Sequence, residues 1–154
     1  LRLADHNYNI QHNHRTSINL AAKQNIARKV ESWMPKNSSV LLDIGTTLQQ
    51  VALTLKAHPG LTVVTDSINV ALTLSNSPNI QVYLAGGLVR LGDEDTMGLD
   101  TVAYLSRFNI QYSVFGVGGL CKKGQLLDFS VEESSVSNVI MKNSETRNMS
   151  LKHI

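Results

Sequence analysis

With 154 residues, 42% of them hydrophobic, the chain is long and apolar enough for one domain with a sizeable core. A net charge of +2 drawn from only 17% charged residues excludes a strongly basic surface of the kind that grips nucleic acid or an anionic membrane. The single cysteine, Cys121, excludes an intrachain disulfide, and no apolar run approaches the roughly 20 residues of a membrane helix, so the expectation is a soluble cytoplasmic domain.

The first predicted element is a helix capped by Thr16 or Ser17, in which Ile18, Ala22, Ile26, Val30 and Trp33 form the apolar stripe and which Pro35 ends. Val40-Leu41-Leu42 reads as a short strand, and Leu48, Val51, Ala52 and Leu55 as the inner face of the helix after it. His58-Pro59-Gly60 is a turn. The unit then recurs: a strand over 61–65, Asp66-Ser67 as a cap, a helix over 68–76, a turn at 77–79 and a strand over 80–85 closed by Gly86-Gly87. Residues 88–97 are expected to be a loop, 99–108 a helix, 112–119 a buried strand ending in glycines, and 131–143 a last helix. Strands alternating with helices at such short intervals predict an α/β fold, a three-layer Rossmann-like arrangement with a mainly parallel sheet covered on both faces.

In open sheets of this class ligands bind beyond the carboxyl ends of the strands. Four such ends carry small or polar residues: Asp43-Ile44-Gly45-Thr46-Thr47, Thr65-Asp66-Ser67, Gly86-Gly87 and Gly116-Val117-Gly118-Gly119. Gly45 permits a tight turn. Thr46 and Thr47 set hydroxyls beside the unpaired amides of a helix start, where the dipole favours an anion, and Ser67 offers the same at the second junction. Each of these residues also serves as an ordinary cap. It is the coincidence of four ends that describes a cup for a small phosphorylated or carboxylated molecule. No G-x-G-x-x-G or G-x-x-x-x-G-K-[ST] stands at the first turn, which disfavours a nucleotide. Asp43, Asp66, Asp128, Glu132 and Glu133 are candidate bases, and Lys122 or Lys123 candidate cations. A carboxylate at Asp66 works against an anion in the same cup and suits a sugar hydroxyl better. His12-Asn13-His14 lacks the partners of a metal site, and Cys121 has no base beside it, so neither a metal nor a cofactor is expected.

Residues 15–142 resemble the effector-sensing domain of DeoR-type bacterial transcriptional regulators. The resemblance rests on an ordered series: Asp43, Gly45, Thr46 and Thr47; Thr65 and Ser67; Gly86, Gly87 and Arg90; Gly116, Gly118 and Gly119; and the Glu132-Glu133 pair, with Arg15, Lys23 and Ile26-Ala27 in the entry helix. It implies a fold similar to ribose-phosphate isomerases and CoA transferases, a phosphorylated sugar as effector, and a homo-oligomer. It also implies contact with DNA only through a helix-turn-helix domain upstream, so residues 1–14 read as residual linker, 15–143 as the effector-binding domain and 144–154 as an atypical, truncated tail. The family's usual Asn is Asp66 here, its usual Asp before the fourth strand is Gln111, and its usual Lys in the last helix is Ser137. The expected function is a sugar-phosphate sensor of a transcriptional repressor, not an enzyme. The alternative is an isomerase-like enzyme on the same fold, with a carboxylate base and a lysine.

Overall fold

The computed structural model of the chain describes residues 2–3, 12–90, 92–128 and 130–151. Along the chain run β1 (Arg2–Leu3), α1 (His12–Ser17), α2 (Leu20–Trp33), β2 (Ser38–Leu42), α3 (Thr46–Leu55), β3 (Leu61–Thr65), α4 (Ile68–Leu74) and β4 (Ile80–Leu84). There follow β5 (Leu88–Arg90), β6 (Asp95–Met97), α5 (Leu99–Leu105), β7 (Ile110–Val117), β8 (Gly119–Leu120), β9 (Leu126–Asp128), α6 (Val131–Asn143) and β10 (Ser144–Leu151).

Five strands form one sheet in the order β10-β7-β2-β3-β4, and every pairing in it is parallel. The side-chain period of two sends Val40, Leu42, Val63 and Val114 to one face and Leu41, Val64, Phe115 and Val117 to the other. The first face is covered by α2, α3 and α4 through Ala27, Val30, Leu48, Val51, Leu55, Val70 and Leu74. The second is covered by α5 and α6 through Leu105, Val136 and Ile140. This is the three-layer α/β arrangement expected from the alternation of elements. At the floor of the first layer His58 ties two helix ends together, with Nε2 3.0 Å from the Met34 carbonyl and Nδ1 accepting from the Gly60 amide at 3.4 Å.

Three expectations are corrected. The entry helix is split: Thr16 and Ser17 lie within α1, and α2 begins after Asn19, a left-handed residue that makes no side-chain cap. Its buried seam is Ala27, Val30 and Met34, whereas Ile26 and Trp33 are exposed. At 100° per residue the apolar stripe chosen by spacing lies roughly a quarter turn from the face that the sheet covers. Lys29 shields the protruding indole, 5.2 Å from its ring centre. Within residues 88–97, expected as a loop, 88–90 and 95–97 pair as the antiparallel hairpin β5–β6. The tail is also more ordered than its sequence implied, because residues 144–151 add β10 to the sheet beside β7. An edge strand is held by backbone pairing, so polar residues such as Glu145 and Arg147 can face solvent without an alternating pattern to mark them.

Two adjacent glycines before the hairpin differ in what they tolerate. Gly87 has φ +151°, and a Cβ there would meet the Thr101 hydroxyl and lie 2.7 Å from the Met97 carbonyl oxygen. A Cβ on Gly86 would meet nothing within 4 Å. Gly87→Ala is therefore expected to cost more than about 1 kcal/mol in urea unfolding, and Gly86→Ala to stay within about 0.5 kcal/mol of the parent. Leu55→Ala, which empties a fully buried position, should cost about 2–5 kcal/mol in the same measurement.

Candidate functional site

The chain leaves β2 outward to β3 and β4, then returns to the other side of β2 to lay down β7 and β10. The order therefore reverses between β2 and β7, and such a reversal opens a crevice beyond the strand ends. Asp43, just after β2, bridges it: its amide donates to the Val114 carbonyl at 3.1 Å, and its Oδ2 accepts from the Gly116 amide at 3.2 Å. A cleft opens here, lined by Asp43, Ile44, Asp66, Arg90, Asp95, Thr96, Met97, Gly116, Asp128, Glu132, Glu133, Val136 and Ser137. The cleft and the solvent at its mouth together span about 330 Å³.

The hairpin β5–β6 forms one wall. It docks over the ends of β3 and β4 through the Thr96 amide to the Asp66 carbonyl at 2.9 Å and the Thr96 hydroxyl to the Ala85 carbonyl at 2.9 Å. Arg90 then clamps the hairpin to α6. Its Nε and Nη2 donate to the two carboxylate oxygens of Asp95 at 3.0 and 2.9 Å, while Nη1 donates to Glu133 Oε1 at 2.6 Å. Nη2 also lies 3.6 Å from Asp93, which pairs with Arg15 of α1. On the opposite wall Asp128 accepts from the Ser137 hydroxyl at 2.9 Å and from the Gly118 amide at 3.4 Å.

Burial and charge act against each other across this wall. Burial works against the Arg90 cation, but hydrogen bonds to Asp95 and Glu133 outweigh it and hold the guanidinium above its ordinary value. Asp95 gains from the same pair and is nevertheless raised above the usual carboxylate range, because burial and the nearby Asp93 and Glu133 charges exceed what Arg90 supplies. Asp66 is only 2% exposed, and its Oδ1 has no hydrogen-bond partner among the described residues. Burial first, then repulsion from Asp43 and Asp95, raises its carboxyl well above the ordinary range.

The sequence-selected residues divide into three groups. Asp43, Asp66, Arg90, Gly116, Asp128, Glu132 and Glu133 line the cleft together. Gly45, Thr46 and Thr47 continue from its Ile44 rim into α3, where Gly45 has φ +123° and the first helical amides have no partner within the helix. The remainder do not line it. Thr65 Oγ1 accepts from the Ser67 amide at 3.0 Å, Ser67 caps α4 by accepting from the Val70 amide, and Asp66 does not cap that helix. Gly86 accepts from the Thr101 hydroxyl, Gly87 turns the chain into the hairpin, Gly118 holds Asp128, and Gly119 begins β8. Sequence reasoning missed Asp95, Thr96 and Met97, because the hairpin that carries them was expected as loop. Ser137, where the family's Lys was expected, is buried against Asp128. Gln111 lies at the far end of β7, where its side chain accepts from the Ser39 amide.

Because folding raises the affinity of Asp66 for a proton, its contribution to stability falls as pH climbs from about 4 toward its raised native value. Asp66→Asn should therefore show a higher urea midpoint than the parent at pH 7, with the difference vanishing near pH 4.

Comparison with known proteins agrees with this architecture. The sequence profile of the DeoR C terminal sensor domain matches residues 18–153. The glycerol-3-phosphate regulon repressor of Escherichia coli K12 is 37% identical over 122 residues, covering 79% of this chain and 48% of the repressor. The HTH-type transcriptional repressor CsqR of the same organism is 32% identical over 119 residues, covering 77% of this chain and 46% of the repressor. The chain thus spans about half the length of these relatives. A D-ribose-5-phosphate isomerase solved with phospho-erythronic acid superposes with a TM-score of 0.58 at 14% identity, over 84% of this chain and 51% of that one, a likeness of fold. With its sheet reversal, its aspartate-glycine-threonine junction and the profile match over nearly its whole length, the chain belongs to the family of DeoR C-terminal sensor domains.

Proposed function

We propose that this domain senses a phosphorylated sugar or polyol on behalf of a DNA-binding transcriptional repressor of carbohydrate metabolism in the cytoplasm. The observation that carries the reading is the continuity of cleft and helix start. Asp43 and Ile44 line the cleft, and the amides of Thr46 and Thr47 open α3 immediately afterwards. A phosphate at that helix start meets unpaired N–H groups, the Thr46 and Thr47 hydroxyls and the positive end of the dipole, while ligand hydroxyls reach the carboxylates of the cleft.

The ion pairs supply a route by which occupancy is felt elsewhere. Arg90 touches the cleft, lies against Asp93, and Asp93 holds Arg15 of α1. An effector that binds more tightly to one arrangement of Arg90 shifts the population of that arrangement and with it the restraint on α1. DNA contact belongs to a helix-turn-helix domain preceding this one, and the assembly is a homo-oligomer, as the family resemblance implies.

The isomerase reading needs a carboxylate base beside a lysine. Among the described residues the cation lining the cleft is Arg90, which Asp95 and Glu133 already engage, and Ser137 occupies the place of the family's lysine. Sensing needs no base, and that favours it.

Calorimetry should show glucose 6-phosphate or glycerol 3-phosphate binding at least about tenfold tighter than glucose or glycerol. Thr46→Val and Thr47→Val should each weaken that binding by about tenfold, near the 1.4 kcal/mol of a hydrogen bond to a charged group. Affinities that ignore both the phosphate and the threonines would overturn the grip. Turnover of ribose 5-phosphate that is lost in Asp128→Asn or Glu132→Gln would overturn sensing in favour of catalysis.

A further inference from the structure

The cleft holds a charge imbalance that a neutral sugar does not resolve. Among the described residues Asp43, Asp66, Asp95, Asp128, Glu132 and Glu133 line it against one cation, Arg90, and Arg90 is spent on Asp95 and Glu133. Two of the other acids have protein donors: Asp43 takes the Gly116 amide, and Asp128 takes Ser137 and Gly118. Asp66 stands apart. It lines the cleft, is 2% exposed, and leaves Oδ1 without a partner among the described residues. A buried carboxylate oxygen without a donor is costly, and the cost is greatest beside like charges.

We propose that Asp66 receives a primary ammonium group of the ligand, so that the effector is an amino-bearing sugar or polyol phosphate. This rests on the sensor reading given above. A ligand hydroxyl supplies a donor but no charge, whereas an ammonium supplies both and makes the stronger, charge-assisted bond. A metal ion fits less well, because no group of three or more His, Cys, Asp and Glu among the described residues is arranged to hold one. The ligand is thereby dipolar, its phosphate toward the start of α3 and its amine toward Asp66.

The test is calorimetry on the whole chain at pH 7 with two matched pairs: glucosamine 6-phosphate against glucose 6-phosphate, and serinol phosphate against glycerol 3-phosphate. In at least one pair the amine is expected to bind about tenfold tighter, and Asp66→Asn should reduce that preference to less than about twofold while still binding the hydroxyl partner. Equal affinities in every pair that binds, or a preference untouched by Asp66→Asn, would overturn the ammonium site and leave the phosphate reading intact. Unphosphorylated glucosamine binding as tightly as its phosphate, with its affinity lost in Asp66→Asn, would uphold the ammonium site and remove the phosphate grip. Failure of every ligand to bind would overturn both. The comparison within the parent chain stands even if the variant does not fold.

Discussion

A sheet whose strands all run parallel cannot be closed by tight hairpins, and that constraint organises this domain. Each successive strand requires a crossover, and helices supply it while covering the apolar faces. The strand ends that precede those helices then fall along one edge. Because β7 returns beside β2 instead of beyond β4, two of the crossovers part at that edge and leave an opening that no side chain has to create. Asp43 and Gly116 face each other across it because they are the residues at which β2 and β7 run out.

The opening would be shapeless without Arg90. The hairpin β5–β6 is short and among the described residues forms a two-stranded sheet, and it is placed by the Thr96 hydrogen bonds on one side and by the guanidinium on the other. A buried ion pair of this kind is poor evidence of net stability, since taking the charges out of water offsets much of their attraction. Its value here is positional. Two parallel bonds to Asp95 fix the plane of the guanidinium, and the third bond brings α6 to a defined distance.

The framework was legible in the sequence because burial on both faces writes continuous apolar strands and periodic helices. Val40–Leu42, residues 61–65 and the helix over 131–143 are where the patterns place them. What was not legible lacks such a signature. Hairpin residues 88–97 mix exposed leucine and valine with charges, so neither period two nor period 3.6 stands out. The tail over 144–151 pairs through its backbone, which polar side chains do not advertise. The rotation of α2 depends on where the sheet lies, a tertiary fact that spacing alone does not contain. Asp43, Asp66 and Gly116 were found because strand ends are where the fold gathers loops. Asp95, Thr96 and Met97 were missed because they lie on the unrecognised hairpin.

An acidic cleft beside an anion-favouring helix start looks contradictory only if the ligand is taken as a point charge. Field falls with distance, and groups separated along an extended molecule are bound by different neighbourhoods. The first turn of α3 presents N–H groups and no acidic side chain, while the carboxylates gather toward the hairpin and α6. A molecule that carries negative charge at one end and hydrogen-bond donors at the other matches both. One with negative charge at each end meets Asp66, Asp95 and Glu133 without compensation, since Arg90 is already engaged. With a phosphate held at α3, as proposed above, a second anionic group at the far end meets carboxylates whose neighbouring cation, Arg90, is already engaged by Asp95 and Glu133.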